Sequence, residues 1–287
     1  MKKTISIITA IALAGFLIYA ITFHKKEIPV EKPGKVSATA DYQKYFGAAP
    51  TVDKGTAYAF VIYFPSSKEP GKVVPFPFFT FDEGSIKKVA VERLLGNMNT
   101  GSYTGEFIPF PTGTRLIAIN DYKGIVTASL SKELDTSTEP GFTHALVLTL
   151  RQFKDVKAIK LQVEGRDESR LSDLVNKSDG GTVLQPSPPR LLNVTAMRDK
   201  GAKDIEEVNA FFDRPVEVKE LIMLSKDGQK FAGDIYHSVF DMAAVLKPKD
   251  PSQFKERMPI KVRWKVVDKL GRQAEGDSVW LLDVKQH

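Results

Sequence analysis

A helical pattern that turns directly into a strand pattern, between residues 142 and 163, constrains the fold of this chain more than any other stretch. The side chains that form one stripe in its first half recur at helical spacing: Phe142, Ala145, Leu146, Thr149, Leu150 and Phe153. From residue 159 to residue 163 apolar side chains alternate with polar ones, which is typical of a strand with one buried face. Together the two patterns predict a helix that packs back onto a sheet.

The stretches before residue 142 show the same two kinds of pattern. β-rich runs at residues 56–64 and 73–81 are separated by turn formers and predict a hairpin, in which Pro75 and Pro77 favour an edge position. A helical pattern and a second hairpin follow before residue 131. We therefore expect an α+β module in which a mixed sheet carries two helices on one face.

The pattern changes after the proline-rich residues 186–189. Residues 190–287 show seven short alternating runs and almost no helical periodicity, which predicts an all-β immunoglobulin-like sandwich. At 287 residues, the chain has room for an anchor and about two such domains. We place the module at residues 56–168, a linker at residues 169–189 and the sandwich at residues 190–287.

The amino terminus carries the signal for localisation. Residues 4–23 have no charge, are rich in Ile, Ala and Leu, and lie between two lysine pairs. A run of this length can cross about 30 Å of hydrocarbon as a helix, so we predict one transmembrane anchor, with a cleaved signal peptide as the alternative. Residues 24–55 contain prolines and mixed charges and are predicted to be a tether, with a short helix around residues 41–46. Because long carboxy-terminal domains usually translocate, we expect the rest of the chain in the periplasm or on the outer face of the cytoplasmic membrane.

Composition argues against several kinds of site. The net charge of +6 is spread without a dense basic tract, which is typical of a solvated surface rather than a nucleic-acid site. The chain has no cysteine, so disulfides, thiolate metal sites and a cysteine nucleophile are excluded. The four histidines, at positions 24, 144, 237 and 287, lack the spacing of a metal site. Neither a Gly-x-Ser-x-Gly elbow nor a phosphate-binding loop is present, so we predict no catalytic residue, no metal and no cofactor.

Aromatic side chains are dense on the predicted proline-bearing edge strand. They are Phe76, Phe78, Phe79 and Phe81. Such a row either packs as an ordinary edge strand or forms a groove for a protein partner. The sequence allows both interpretations.

Four motifs in the first half of the chain occur in a recognisable order. They are PTGTRL at residues 111–116, GIVTASLSKEL at 124–134, LTLRQF at 148–153 and VKAIKLQVEG at 156–165. In order and spacing they resemble the GerMN domain of sporulation and spore germination proteins, and the resemblance covers about residues 57–166.

This resemblance implies structural rather than catalytic roles for the residues that match. Gly113 permits a tight entry into a strand, Gly124 takes a positive-φ turn position, and Thr149, Leu150 and Phe153 pack the second helix. The other matching positions are Thr114, Val156 and Gly165. The family implies an envelope protein, in spore-forming bacteria or actinobacteria, that acts by protein association.

A second resemblance covers residues 190–287. Residues 208–216, 225–228 and 262–272 are similar to CopC-type and other bacterial immunoglobulin-like domains, and Trp264 corresponds to the buried aromatic residue of such a sandwich. The copper-binding branch needs an amino-terminal histidine and a histidine at the position of Arg272. This chain has neither, so the resemblance does not imply copper binding here.

The sequence therefore predicts a membrane-anchored, extracytoplasmic protein that is not an enzyme and that works by association. Its partner is a second copy, another envelope protein or the cell wall, and no nucleic acid is involved. Two alternatives stay open: a ligand or copper carrier that uses the sandwich, and an envelope hydrolase.

Overall fold

The computed structural model describes residues 34–97, 101–164 and 180–286. The predicted anchor at residues 4–23 and the motif residue Gly165 lie outside this part of the chain. Within it, no helix is both long enough and apolar enough to span a membrane.

Strands and helices of the amino-terminal part, residues 34–164, form what we call the module. Its elements are β1 (Lys35–Ala38), α1 (Ala40–Phe46), β2 (Thr56–Pro65), β3 (Val73–Thr80), α2 (Ile86–Leu95), β4 (Leu116–Tyr122), β5 (Ile125–Leu130), α3 (Pro140–Arg151) and β6 (Ala158–Val163). They make two three-stranded sheets, in the orders β1-β2-β3 and β4-β5-β6. β1 runs parallel to β2 and β6 runs parallel to β5, whereas the two hairpins are antiparallel.

The prediction of one mixed sheet with two helices on one face is therefore wrong, and the central helix gives the reason. In α3 the predicted stripe is buried, but Thr143, Val147 and Leu148 on its other sides are buried as well. A helix that is apolar on every side needs neighbours on every side. Accordingly α3 packs against β2 and β3 of one sheet, against β6 of the other and against α2.

The prediction of a tether at residues 24–55 is also wrong from Lys35 onwards. Strand β1 joins the edge of β2, and the short helix expected around residues 41–46 is present as α1. Tyr42, Tyr45 and Phe46 stand three and four residues apart and form one apolar face of α1, which is buried in the module core. Aromatic residues at helical spacing hold this segment against the module.

Residues 191–286 form what we call the sandwich. Its strands are β7 (Leu191–Arg198), β8 (Glu207–Phe212), β9 (Val216–Leu224), β10 (Gly233–His237), β11 (Ala243–Pro248), β12 (Pro259–Asp268), β13 (Gln273–Leu281) and β14 (Asp283–Gln286). They make a sheet of order β10-β11-β8-β7-β14 and a sheet of order β13-β12-β9, and the two sheets share one apolar core. The structure has eight strands here rather than the predicted seven, because the last predicted run divides at Leu282 into β13 and β14.

The module and the sandwich have separate cores but belong to one compact unit, which spans residues 34–287. Part of the predicted linker, residues 180–189, is built into this unit. The backbone N–H of Leu184 donates to the carbonyl of Val73 at 2.9 Å, and Val183 forms a parallel bridge with the same strand. We call the contact region between module and sandwich the junction.

Candidate functional site at the junction

Two of the motif glycines, Gly113 and Gly124, lie at positions where other residues would be strained. Gly124 joins β4 to β5 with φ of +85°, and a Cβ atom there would lie 2.6 Å from the carbonyl oxygen of Asp155. Gly113 has φ of +89°, and the next residue, Thr114, donates its hydroxyl to the carbonyl of Pro111 at 2.7 Å. Both glycines thus sit in the left-handed region that favours glycine.

The motif threonine on α3 supports the edge of β2. Thr149 accepts the backbone N–H of Tyr63 at 3.2 Å. One turn later, Gln152 accepts the N–H of Val61 at 2.7 Å and donates to the carbonyl of the same residue at 2.6 Å. The two side chains supply the hydrogen bonds that a neighbouring strand would give beyond the end of β1.

The role of Gln152 is not evident from the sequence. A polar residue one turn after Thr149 within an apolar stripe is the signal that could have revealed it. The other motif residues of this stretch contribute by packing: Leu150 and Phe153 are buried, and Val156 is half-buried against the same core.

The aromatic row on β3 is divided between the core and the surface. Phe76 is buried, Phe78 and Phe79 are half-buried, and Phe81 is 56% exposed just after the strand ends. The guanidinium of Arg93, on α2, lies 5.2 Å from the ring centre of Phe78. Part of the predicted partner groove is therefore ordinary core, and only its far end reaches the surface.

The free edge of β3 is poorly suited to accept another strand. Val73 turns its carbonyl outwards to Leu184, so Pro75 and Pro77, two and four residues further on, have their backbone on the same side. Proline has no N–H to donate. The predicted edge position of these prolines is confirmed, and the edge offers few of the hydrogen bonds that strand addition requires.

The sandwich covers the surface end of the aromatic row with a single strained loop. Phe240 stacks on Phe79 with ring centres 4.4 Å apart and planes 10° from parallel, and it also contacts Phe81 at 5.5 Å. To reach this position, Phe240 and Asp241 adopt φ of 66° and 54°. Two consecutive left-handed residues other than glycine cost roughly 1–2 kcal/mol each, so the stacking must offset a local strain.

A cleft of about 410 Å³ lies beside this stack. Its module side is formed by side chains of β2, β3 and the end of α2, and its sandwich side by Leu192, Asp213, Phe240 and Met242. Most of the wall is apolar or aromatic, and Arg93 and Asp213 are the charged residues on it. The cleft exists only because the two parts of the chain meet.

Deeper in the junction, a buried carboxylate joins the module to the sandwich. Asp213 accepts the hydroxyl of Tyr103 at 2.7 Å, two guanidinium N–H groups of Arg214 at 3.0 and 2.8 Å, and the backbone N–H of Arg190 at 3.1 Å. Burial raises the pKa of the Tyr103 hydroxyl well above its ordinary value, and the negative charge of Asp213 adds to the effect. All four donors therefore stabilise one ionised carboxylate that water does not reach.

A second carboxylate extends this cluster towards α1. Asp268 accepts the Nε of Arg272 at 2.6 Å and lies 3.7 Å from the guanidinium of Arg214. The same Arg272 donates to the backbone carbonyl of Tyr45 at 2.7 Å, and both guanidinium groups lie over the ring of Phe46, at 5.5 and 6.0 Å. Arg272, at the position where copper binding would have required a histidine, thus donates a hydrogen bond to the module instead.

A partly exposed ion pair lies beside the Asp213 cluster. Arg190 contacts Glu106 at 2.7 Å, and Lys68 contacts the other oxygen of Glu106 at 3.0 Å. Burial alone would raise the pKa of Glu106, but the hydrogen bonds from Arg190 and Lys68 outweigh burial and lower it. The guanidinium of Arg190 also lies 4.5 Å from the ring centre of Tyr103.

Trp264, on β12, is part of the sandwich core. It is 8% exposed, contacts Phe212 edge to face at 5.4 Å, and faces Gly276 on the neighbouring strand. A Cβ atom at Gly276 would lie 2.8 Å from the indole ring. Glycine at this position leaves room for the tryptophan.

Side chains for metal binding do not converge in the part of the chain that the structure describes. No set of three or more His, Asp or Glu side chains there is arranged to hold a metal ion. The ring of His144 contacts the carbonyl of Gly71 at 2.9 Å, and His237 lies in β10. His24 and His287 fall outside the described residues. What the junction presents is an apolar cleft with one buried anion and one cation on its wall.

By its fold the chain is a mixed α/β protein with three helices and several β-sheets in the described residues. Residues 61–169 match the family model Germane, described as sporulation and spore germination. The chain therefore carries a Germane domain, as the four motifs implied. A search of curated proteins found no match.

Solved structures similar to the chain include both kinds of domain. The first GerMN domain of the sporulation protein GerM from Bacillus subtilis is 23% identical, covers 37% of this chain and 83% of its own, and gives a TM-score of 0.31. The tandem GerMN domains of the same protein are 14% identical, over 70% of this chain and 63% of theirs, with a TM-score of 0.33. CopC from Methylosinus trichosporium OB3b is 16% identical, over 34% of this chain and 97% of its own, with a TM-score of 0.25.

Proposed function

We propose that this protein is a non-enzymatic envelope protein that acts by associating with another protein through the surface end of the junction. The observation that carries the proposal is a group of apolar side chains, two of them exposed, around Phe240 of the cleft wall. Phe81 is 56% exposed and its ring contacts that of the half-buried Phe240, and Val239, which precedes Phe240 in the chain, is 63% exposed. We call these three residues the apolar patch.

The way in which the patch is built supports a role in binding. Single exposed apolar residues are common on protein surfaces, but apolar residues that adjoin one another beside a cleft mark interaction sites more often. Here one residue comes from the end of β3 and two come from a strained loop of the sandwich. Strain at a surface loop persists when the surrounding structure holds it, and such loops concentrate at functional sites.

The Germane match, described as sporulation and spore germination, supports a role in a sporulating bacterium, and the uncharged run at residues 4–23 supports a place in the cell envelope. In this proposal residues 4–23 anchor the protein in the membrane, and the module and sandwich project outside the cytoplasm. Protease added to intact spheroplasts should then digest the module and sandwich of the full chain. Protection of these residues until the membrane is lysed would contradict the proposed orientation.

A crosslinking experiment tests the association itself. A photoactivatable amino acid at Val239 of the full chain, in the native cells, should give one defined covalent adduct, with another envelope protein or with a second copy. The same group at Lys226, an exposed polar turn residue of the sandwich, serves as the control and should give none. Absence of an adduct at Val239, or an equal pattern from both positions, would contradict the proposal.

A further inference from the structure

We infer that the cleft beside the apolar patch takes an apolar side chain from a partner peptide whose next residue carries a carboxylate, and that Arg93 binds this carboxylate. The inference rests on the proposed function and names the chemistry of the partner segment. It concerns the cleft rather than the patch, so the two ideas can fail separately.

The volume and lining of the cleft suit an apolar group of limited size rather than a large ligand. A volume of about 410 Å³ lies at the low end of the range for small-molecule sites. Its walls include Phe78, Phe79 and Phe240, whose rings favour contact with another aromatic or a long aliphatic group. Because the exposed Phe81 contacts Phe240 of the cleft wall, an occupant that belongs to a larger partner gains further apolar contact.

The charges on the wall predict an anionic neighbour for that side chain. Asp213 already accepts hydrogen bonds from Tyr103, from Arg214 and from the backbone of Arg190, so its charge is compensated. Arg93 lies over Phe78 and forms no ion pair with any carboxylate among the described residues. The cleft therefore carries one uncompensated positive charge, and a carboxylate on the occupant would neutralise it.

The edge of β3 limits how the partner's backbone can bind. Pro75 and Pro77 remove two donors from the outward side of this strand. A partner that added a strand along this edge would leave its own carbonyl groups without donors at these positions. We therefore expect affinity to come from an inserted side chain and its neighbouring carboxylate instead of from sheet extension.

Short capped peptides test this chemistry on the full chain. The probes are acetyl-Gly-Phe-Glu-Gly-amide, the same peptide with Gln in place of Glu, and the same peptide with Ala in place of Phe. Dissociation constants are measured by titration with NMR detection. We expect the Gln peptide to bind about five-fold more weakly, the size of one partly exposed ion pair, and the Ala peptide to show no saturable binding.

Matched variants assign the preference to the proposed contact. Arg93→Gln should remove the difference between the Glu and Gln peptides, whereas Arg93→Lys should keep part of it. Arg115→Gln, at an exposed arginine outside the cleft wall, should leave the difference unchanged. Unaltered unfolding curves of the two Arg93 variants show that a lost preference does not come from misfolding.

Three results would overturn the inference. In the first, the Glu and Gln peptides bind equally well. In the second, the preference for Glu survives Arg93→Gln. In the third, dodecanoate binds at least tenfold more tightly than the Glu peptide, which would assign the cleft to a lipid-like anion. If any of these occurs while crosslinking at Val239 persists, the inference fails and the proposed function stands; if crosslinking is lost too, both fail.

Discussion

The two ends of the junction hold the module and the sandwich together by different physical means. At the inner end, Asp213 is fully enclosed and satisfied by donors from both parts of the chain. At the outer end, Phe240 stacks on Phe79 from a strained loop and leaves apolar surface exposed to water. One end is buried, charged and directional, and the other is apolar and open.

This difference shows how a fixed junction can still offer a binding surface. Hydrogen bonds to a buried carboxylate depend strongly on distance and angle, so the inner end determines how the two parts are placed. Apolar stacking is less directional and tolerates a further partner at its free side. In the proposed association, the partner therefore binds at the outer end while the inner end keeps the geometry unchanged.

The largest expected effect is at the inner end. Asp213→Ala removes the acceptor of Tyr103 and leaves Arg214 buried without its main partner, which should lower the free energy of unfolding by about 3–5 kcal/mol. Urea unfolding of the full chain measures this loss. Asp277→Ala, which removes an exposed partner of Lys261 and Arg263, is the control and should cost far less. Equal losses would mean that the inner end does not dominate the junction.

The second prediction concerns Tyr103→Phe. Loss of the hydroxyl that donates to Asp213 should lower the free energy of unfolding by about 1.5–3 kcal/mol at about pH 8. The raised pKa of Tyr103 means that the unfolded chain loses this proton at a pH near 10, where the native protein keeps it. The native protein therefore loses stability as the pH rises beyond that value, and the variant lacks this loss.

Unfolding of the native protein and of Tyr103→Phe at about pH 8 and about pH 11 tests the direction of this pH dependence. The difference between native protein and Tyr103→Phe should narrow as the pH rises. A difference that widens, or stays constant, would show that the Tyr103 hydroxyl is not held in its neutral form by the junction.

At the outer end, a smaller effect is expected. Phe240→Ala should lower the free energy of unfolding by about 1–2 kcal/mol, since it removes a partly exposed aromatic stack. Phe240→Gly removes the same ring but fits a φ of 66°, so it should be more stable than the alanine variant by about 0.5–1 kcal/mol. Thermal and urea unfolding of the two variants separate stacking from strain. If the glycine variant is less stable than the alanine variant, the loop is not strained.

The smallest effect belongs to the half-exposed pair between Arg190 and Glu106. Arg190→Gln should cost below about 1 kcal/mol at neutral pH. Because the pKa of Glu106 is lowered in the native protein, this contribution is present above the ordinary glutamate value, about 4.3, and is lost as the pH falls below it. Unfolding at about pH 7 and about pH 3 should show the difference between the two proteins disappear on acidification. A difference in stability that grew on acidification would contradict a contribution from ionised Glu106.

Local patterns predicted most elements of both parts, because helices and strands of amphipathic chains repeat apolar residues at fixed spacing. The helix α3, the strands β4 to β6 and the strands of the sandwich all follow such patterns. Local patterns failed where burial is complete. Thr143, Val147 and Leu148 lie outside the stripe and are buried, and no spacing rule indicates how many neighbours a helix has.

The junction could not be predicted for a different reason. Tyr103, Asp213 and Asp268 are far apart in the sequence, and each is an ordinary residue in its own segment. Only the approach of the two parts turns them into one buried cluster. The same holds for Phe240, whose left-handed backbone has no sequence signal because the residue is not glycine.

The sequence by itself determined the periodic elements, the Germane motifs and the glycines at Gly113 and Gly124, since each depends on neighbours within a few residues. Tertiary structure alone decided that the supposed tether folds onto β2, that module and sandwich form one unit, and that the aromatic row of β3 ends in a cleft shared with Phe240. Contacts between distant segments depend on complementary shape and charge across a gap that no local pattern encodes, and the candidate binding surface is made of such contacts.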